Sequence, residues 1–189
     1  AYGAELVLTP KEKGMQGAVD KAKELKETYS NSFIPMQFAN SDNPKAHEKT
    51  AQEIKEAVEG CKVVVVAGIG TGGTATGIKK YFPEAIVYGV EPAESPLFTE
   101  GHAGPHTIQG FGANFIPEIC KDNNLDGVLT VKSEDAKVQA IELAKKHGIF
   151  CGISAGANVC AAKELAKKYP DRLIVAIIPD SGERYLSVW

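Results

Sequence analysis

No apolar run in this 189-residue chain is long enough to cross a bilayer as a helix; the longest, around Val63–Ala67 and Leu173–Ile178, are strand-sized. No membrane partner is expected. Charge of one sign is also missing: the net charge is only −3, and Lys and Arg are scattered rather than clustered, which argues against nucleic acid as a partner. Cys61, Cys120, Cys151 and Cys160 form no C-x-x-C pair, so the usual zinc and dithiol spacings are lacking. These four read as buried thiols of a reducing compartment. His102 and His106 have i, i+4 spacing, but Gly104 and Pro105 between them deny the helix that would align a zinc pair. No metal site is expected. Internal repeats and low-complexity linkers are lacking too. The opening AYGAELVLTP has neither an initiator methionine nor a signal-peptide pattern. It reads as a strand entered just past a helix end at Gly3, in a chain that begins mid-protein.

What is present is the balance of a soluble globular protein, 43% hydrophobic and 24% charged. Ala18, Ala22 and Leu25 share one helical face, and Phe33–Phe38 reads as a strand. Lys45–Gly60 carries a second amphipathic helix with Ala51, Ile54 and Val58 inward. A strand Cys61–Ala67, a helix Gly72–Tyr81 and a strand Ala85–Val90 follow, which is β-α-β. From Glu91 to Asn124 the periodicity lapses into a loop region long enough to carry a site. Then come a strand Gly127–Val131, a helix N-capped by Ser133 and stopped by Gly148, a strand Ile149–Ile153, a helix Val159–Lys168, and a strand Leu173–Ile178. Such alternation calls for an α/β fold: a mostly parallel sheet covered on both faces, with ligands at the carboxyl ends of the strands.

The stretch Val63–Gly77, VVVVAGIGTGGTATG, places glycines where a strand turns into a helix. Gly68, Gly70 and Gly73 match G-x-G-x-x-G, and Glu91 lies about 20 residues on, the spacing of a dinucleotide fingerprint. A nicotinamide-dependent oxidoreductase of Rossmann type is therefore one reading. Thr71, Thr74 and Thr76 instead crowd the turn with hydroxyls, a donor cup better suited to a terminal phosphate with three oxygens. A tight turn with no ligand is the third. In GISAGAN, Gly152–Asn158, Ser154 is either an N-cap or a hydroxyl facing a ligand at the same sheet edge. Ser181 in PDSGERYL has acidic neighbours but no histidine that the sequence places near it, which speaks against a serine hydrolase.

Taken in order, VVVVAGIGTGGTATG, MQFANSDNPKAHEKT, GPHTIQGFGANFIP, GISAGAN and PDSGERYLS resemble the cysteine synthase (O-acetylserine sulfhydrylase) family. The resemblance spans essentially the whole chain. It implies a fold type II, tryptophan synthase β-like, three-layer αβα architecture with pyridoxal 5′-phosphate as cofactor. Gly70, Thr71, Gly72, Gly73 and Thr74 would hold the cofactor phosphate, and Ser154 would hydrogen-bond the pyridine nitrogen. Gln37 would meet the substrate carboxylate and Gly110 would line the entrance, while Glu91 would be no ribose ligand. A neutral hydroxyl at the pyridine nitrogen restrains carbanion delocalisation and favours β-elimination over transamination. The implied reaction is β-replacement, in which acetate leaves O-acetylserine and sulfide adds to give cysteine.

The resemblance is to the C-terminal portion of that family only. The family's Schiff-base lysine, in a motif like S-x-K-D-R, and its TSGNTG-like substrate loop match nothing in these residues, so no catalytic residue is assigned and the chain alone is expected to be inactive. Residues 1–31 would be the tail of the smaller mobile domain, and 32–189 the larger domain that binds the cofactor phosphate. Further implications are a homodimer, a cytoplasmic or organellar location, and a cleft that accepts the C-terminal peptide of serine acetyltransferase. Ala155, Asn114 and Asp180 depart from the family's usual residues, which leaves a cystathionine β-synthase-like activity as the alternative.

Overall fold

The computed structural model describes residues 3–121 and 125–188. Its centre is a sheet of parallel strands β1 (Val63–Gly68), β2 (Ile86–Pro92), β3 (Gly127–Val131) and β4 (Leu173–Ala176), in the order β3-β2-β1-β4. Every pairing is parallel, with Val64 opposite Ile86 on one side and Ile174 on the other. Parallel strands need long crossovers, and helices supply them. The described helices are α1 (Gly14–Thr28), α2 (Asp42–Ala46), α3 (Glu48–Ala57), α4 (Gly73–Tyr81), α5 (Ser133–His147) and α6 (Ile153–Lys168).

Strand periodicity sorts the valines of VVVV between two cores. Val64 and Val66, with Tyr88 and Val90, pack against Ala136 of α5 and against Ile153, Ala157, Ala161 and Leu165 of α6. Val63, Val65 and Ala67, with Val87, face Ala51, Ala75 and Ile78 of α3 and α4. The result is three layers. The chain moves outward from β1 through β2 to β3, then returns to add β4 on the other flank of β1. Strand order therefore switches direction at β1 and β4, where open α/β sheets form a crevice beyond the strand ends.

Several expectations need correction. No strand forms over 3–10: Leu6 and Leu8 are more than 80% exposed. An extended segment without a neighbouring strand has no ladder to join, and its first two residues lie outside the described residues. Phe33–Phe38 is not a strand either. Pro35 interrupts it, Met36 has φ +54°, and the Met36 carbonyl accepts both Ala39 N and Asn40 N, which closes a turn. The helix expected over Lys45–Gly60 is divided at His47 into α2 and α3. Ile149–Ile153 makes only an isolated antiparallel bridge, Cys151 to Ser181, and α6 begins at Ile153 rather than Val159. Its early small residues serve helix packing: a side chain at Gly156 would collide with the Ala136 carbonyl of α5. Ser133 is not an N-cap. Lys132 holds that place, Glu94 Oε1 accepts the Ser133 N–H at 2.8 Å, and Ser133 Oγ accepts the Thr107 N–H at 3.2 Å.

The thiols are all free, but only Cys120 and Cys151 are buried: Cys160 is half-buried, and Cys61 is exposed because β1 starts two residues later than expected. Gly148 does end α5, at φ +68°. The far end of the loop over Glu91–Asn124, residues 122–124, lies outside the described residues. No helix is long and apolar enough to cross a membrane among the described residues.

Candidate functional site

After β1 the backbone turns through Ile69–Gly72 into α4. Gly72 takes φ +84°, in the left-handed region that a side chain strains, and Cys120 Sγ sits where its Cβ would go. Gly70 lies against the Gly110 carbonyl in the same way. Close approach thus demands glycine at both positions. The loop's carbonyls are engaged inward: Gly72 O accepts Thr76 N at 3.0 Å and Thr76 Oγ1 at 2.8 Å, and Cys120 Sγ lies 3.8 Å from Thr71 O. Burial pushes the Cys120 thiol up to about 11, so it stays a protonated packing group. Among the described residues, the N–H groups of Thr71, Gly72, Thr74 and Ala75 have no acceptor in the chain. Free amides at a helix start, where the helix dipole is positive, form an anion site.

Side chains frame this cup. Asn43 Nδ2 donates to Thr71 Oγ1 at 2.9 Å and to the Gln37 carbonyl at 2.8 Å, and Thr71 Oγ1 also accepts the Gly73 N–H at 3.2 Å. Thr74 Oγ1 lies 3.1 Å from His47 Nε2, whose other ring nitrogen is 3.4 Å from Thr50 Oγ1. Burial holds the His47 pKa below its ordinary value, favouring a neutral imidazole. Asn43 and His47 are not singled out as site residues by the sequence. Their signal was position: both belong to the stretch that begins at Gln37.

Ser154 lies in the first turn of α6. Gly152, not Ser154, is the N-cap, which disposes of the capping reading. Ser154 is 4% exposed, yet its hydroxyl makes no hydrogen bond to the described protein atoms. The helix start is fixed at the switch point by two bonds. Asn158 Nδ2 donates to Ile177 O at 2.7 Å, and Gly152 N donates to Asp180 O at 3.2 Å, both acceptors lying just beyond β4. A cavity of about 670 Å³ is lined by Gly110 and Phe111 on one side and Ile153 on the other. Gly110 and the start of α6 therefore border one space. Gln37 is exposed in its turn, and its carbonyl rather than its side chain is held, by Asn43.

Glu91 is buried at 2% exposure and its carboxylate is consumed by the following loop. It accepts Phe98 N at 2.8 Å, Thr99 N at 3.0 Å and Thr99 Oγ1 at 2.6 Å. Buried and held by that loop, it is not presented to ribose hydroxyls, and the dinucleotide spacing is coincidental. Ser181 Oγ accepts Glu183 N as the cap of a short 3-10 turn, Gly182–Tyr185. Tyr185 donates to Asp180, and its pKa is pushed up to about 12, by burial first and then by that carboxylate.

A family model described as pyridoxal-phosphate dependent enzyme matches residues 1–180. The chain belongs to this family. It is 50% identical over 191 residues to a cysteine synthase B of Campylobacter jejuni, an alignment covering 98% of this chain and 64% of that protein. Among solved structures, a cysteine synthase of Entamoeba histolytica superposes with TM-score 0.91 at 41% identity, covering 98% of this chain and 57% of that one. An O-acetylserine dependent cystathionine β-synthase of Helicobacter pylori gives TM-score 0.92 at 38% identity, covering 99% and 63%. The chain thus spans less than two thirds of the length of these relatives. The fold is that of the type II enzymes, and the family's cofactor is pyridoxal phosphate. The residues present fit that group. Unclaimed amides and a hydroxyl-lined turn suit its phosphate, and a Ser154 hydroxyl without a partner among the described residues suits a neutral ring nitrogen.

Proposed function

We propose that this chain is the cofactor-phosphate-binding portion of a pyridoxal-phosphate dependent cysteine synthase that converts O-acetylserine and sulfide to cysteine. The observation that carries the reading is the cup at Gly70–Thr74, with amides of Thr71, Gly72, Thr74 and Ala75 left without acceptors among the described residues at the start of α4. In this reading Gly70, Thr71, Gly72, Gly73 and Thr74 bind the cofactor phosphate and Ser154 accepts or donates at the ring nitrogen. Gln37 meets the substrate carboxylate, and Gly110 lines the entrance. When bound, the cofactor supplies the electron sink for removing the α-proton and expelling the β-substituent. The chain's own part is to anchor the phosphate, keep the ring nitrogen opposite a neutral hydroxyl, and narrow the entrance where Gly110 meets Gly70.

The Schiff-base lysine and the loop gripping the substrate carboxylate belong, on this proposal, to a portion outside these residues, so the chain alone is inactive. Residues 1–31 would then be the tail of a smaller domain and 32–189 the cofactor domain. The burial of only Gly17 in α1 supports the division. A homodimer, a cytoplasmic or organellar setting, and a cleft open to an acetyltransferase C-terminal peptide complete the reading. The likeness to an O-acetylserine dependent cystathionine β-synthase favours one alternative, in which homocysteine replaces sulfide.

Mixing the chain with a lysine-bearing N-terminal portion of a cysteine synthase, then assaying O-acetylserine with sulfide and with homocysteine, tests this directly. Cysteine formation only in the mixture supports the reading; cystathionine as the main product selects the alternative. Turnover by the chain alone would overturn the assignment of the lysine to a missing portion.

A further inference from the structure

The geometry points to Asn43 as a positioning residue that forces the Thr71 hydroxyl to act as a donor toward the anion in the Gly70–Thr74 cup. The inference rests on the reading of that cup as a phosphate site and goes one residue beyond it. A hydroxyl has one proton and two acceptor lone pairs. Thr71 Oγ1 accepts from Asn43 Nδ2 at 2.9 Å and from Gly73 N at 3.2 Å, so both lone pairs are engaged. Its proton is the only capacity left.

The orientation of the Asn43 amide follows from its second partner. Asn43 Nδ2 is also 2.8 Å from the Gln37 carbonyl, which can only accept, so nitrogen and not oxygen must occupy that position. One amide hydrogen serves Gln37 O and the other serves Thr71 Oγ1. Gly73 is glycine because the Asn43 side chain fills the place of its Cβ, and this contact presses the amide against the start of α4. The segment bearing Gln37 is pinned a second time, where Ile119 N donates to Phe38 O at 3.2 Å. Asn43 therefore does two things at once. It sets the proton direction of a phosphate ligand, and it ties that ligand to the turn carrying the proposed substrate-carboxylate residue. Loss of its donor frees the Thr71 hydroxyl to turn its proton toward the vacated amide position or solvent, and weakens binding of the phosphate in particular.

The test is a double-mutant cycle read on pyridoxal 5′-phosphate and on pyridoxal, which lacks the phosphate, by equilibrium dialysis of the full chain. Asn43→Ala is expected to weaken pyridoxal phosphate by about tenfold, the scale of one charge-assisted hydrogen bond, while leaving pyridoxal within about twofold. In a Thr71→Val background the same substitution should cost nothing further. Equal losses for both ligands, or losses that simply multiply with those of Thr71→Val, would make Asn43 a structural staple and overturn the inference. A Thr71→Val chain that binds pyridoxal phosphate as tightly as the parent would instead overturn the phosphate reading itself. Asn43→Ser, which keeps one donor, should retain part of the preference for the phosphorylated ligand, and it carries the same comparison if the alanine variant does not fold.

Discussion

At the start of α4, the amides of Thr71, Gly72, Thr74 and Ala75 are left without acceptors among the described residues. At the start of α6 two of the corresponding groups are claimed: Gly152 N donates to Asp180 O and Ala155 N to the Gly152 carbonyl, both at 3.2 Å. Both segments are small-residue strings beside the same crevice, and in the sequence they look like two copies of one device. Their glycines answer to different neighbours. Gly70 and Gly72 clear space for Gly110, for Cys120 and for whatever sits on the amides, whereas Gly156 clears space for α5. A glycine-rich helix start is thus an anion site only where its amides are unclaimed; where they are satisfied internally, the glycines report packing. What α6 adds beside the crevice is a side-chain hydroxyl, Ser154.

Substitutions should separate the two segments. The largest effect is expected at α6, where Gly156→Leu drives a side chain into the Ala136 carbonyl and Ala140, and should cost about 3 kcal/mol in urea unfolding. Next comes Gly72→Ala, which places a side chain at φ +84° and against Cys120, with a loss of about 2 kcal/mol. Adding Cys120→Ala should restore the part due to contact and leave the part due to φ. Thr74→Val should cost about 1 kcal/mol of stability through the lost contact with His47, yet weaken pyridoxal phosphate by about tenfold or more without affecting pyridoxal, since it removes a hydroxyl from the cup. Ser154→Ala is the mildest: no bond to the described protein is lost, so stability should change by less than about 0.5 kcal/mol. Its binding effect should be shared equally by pyridoxal and its phosphate, because both present the ring nitrogen. A Ser154 effect confined to the phosphorylated ligand would erase the distinction between the two segments.

Between pH 5 and 7 a pH effect is expected on the α4 side. The folded state holds His47 below its ordinary value of 6.5. As pH falls below about 6.5, the unfolded chain takes up a proton that the folded chain resists, and stability declines until the folded pKa is passed. His47→Gln should flatten that part of the stability profile, measured by thermal melting between pH 5 and 7.

The layered core was legible in the sequence because its signals are local. The alternation of VVVV between two faces, the exact extent of β3 and the stop at Gly148 need only a few neighbouring residues to specify them. Segments 3–10 and 33–38 had the apolar content of strands, but a strand is completed by a partner, and none lies beside them among the described residues. The α6 start failed for the opposite reason. SAGAN looks like a turn by propensity, and its tertiary packing on α5 overrides that preference. At the site, the glycines and threonines of the cup were legible from composition and spacing. Asn43 and His47 were not, since each acts across 27 or 28 residues on a hydroxyl whose position no periodicity reveals. Glu91 shows the converse hazard: its spacing suggested a ligand contact that Phe98 and Thr99 had already taken.

The central claim is that the unclaimed amides at Gly70–Thr74 hold a terminal phosphate. Equilibrium dialysis of the chain against pyridoxal 5′-phosphate, pyridoxal and NADH tests it most directly. The account predicts pyridoxal phosphate bound at least about tenfold more tightly than pyridoxal, with NADH neither bound nor able to displace it. Equal affinity for pyridoxal and its phosphate, or displacement by NADH, would contradict it.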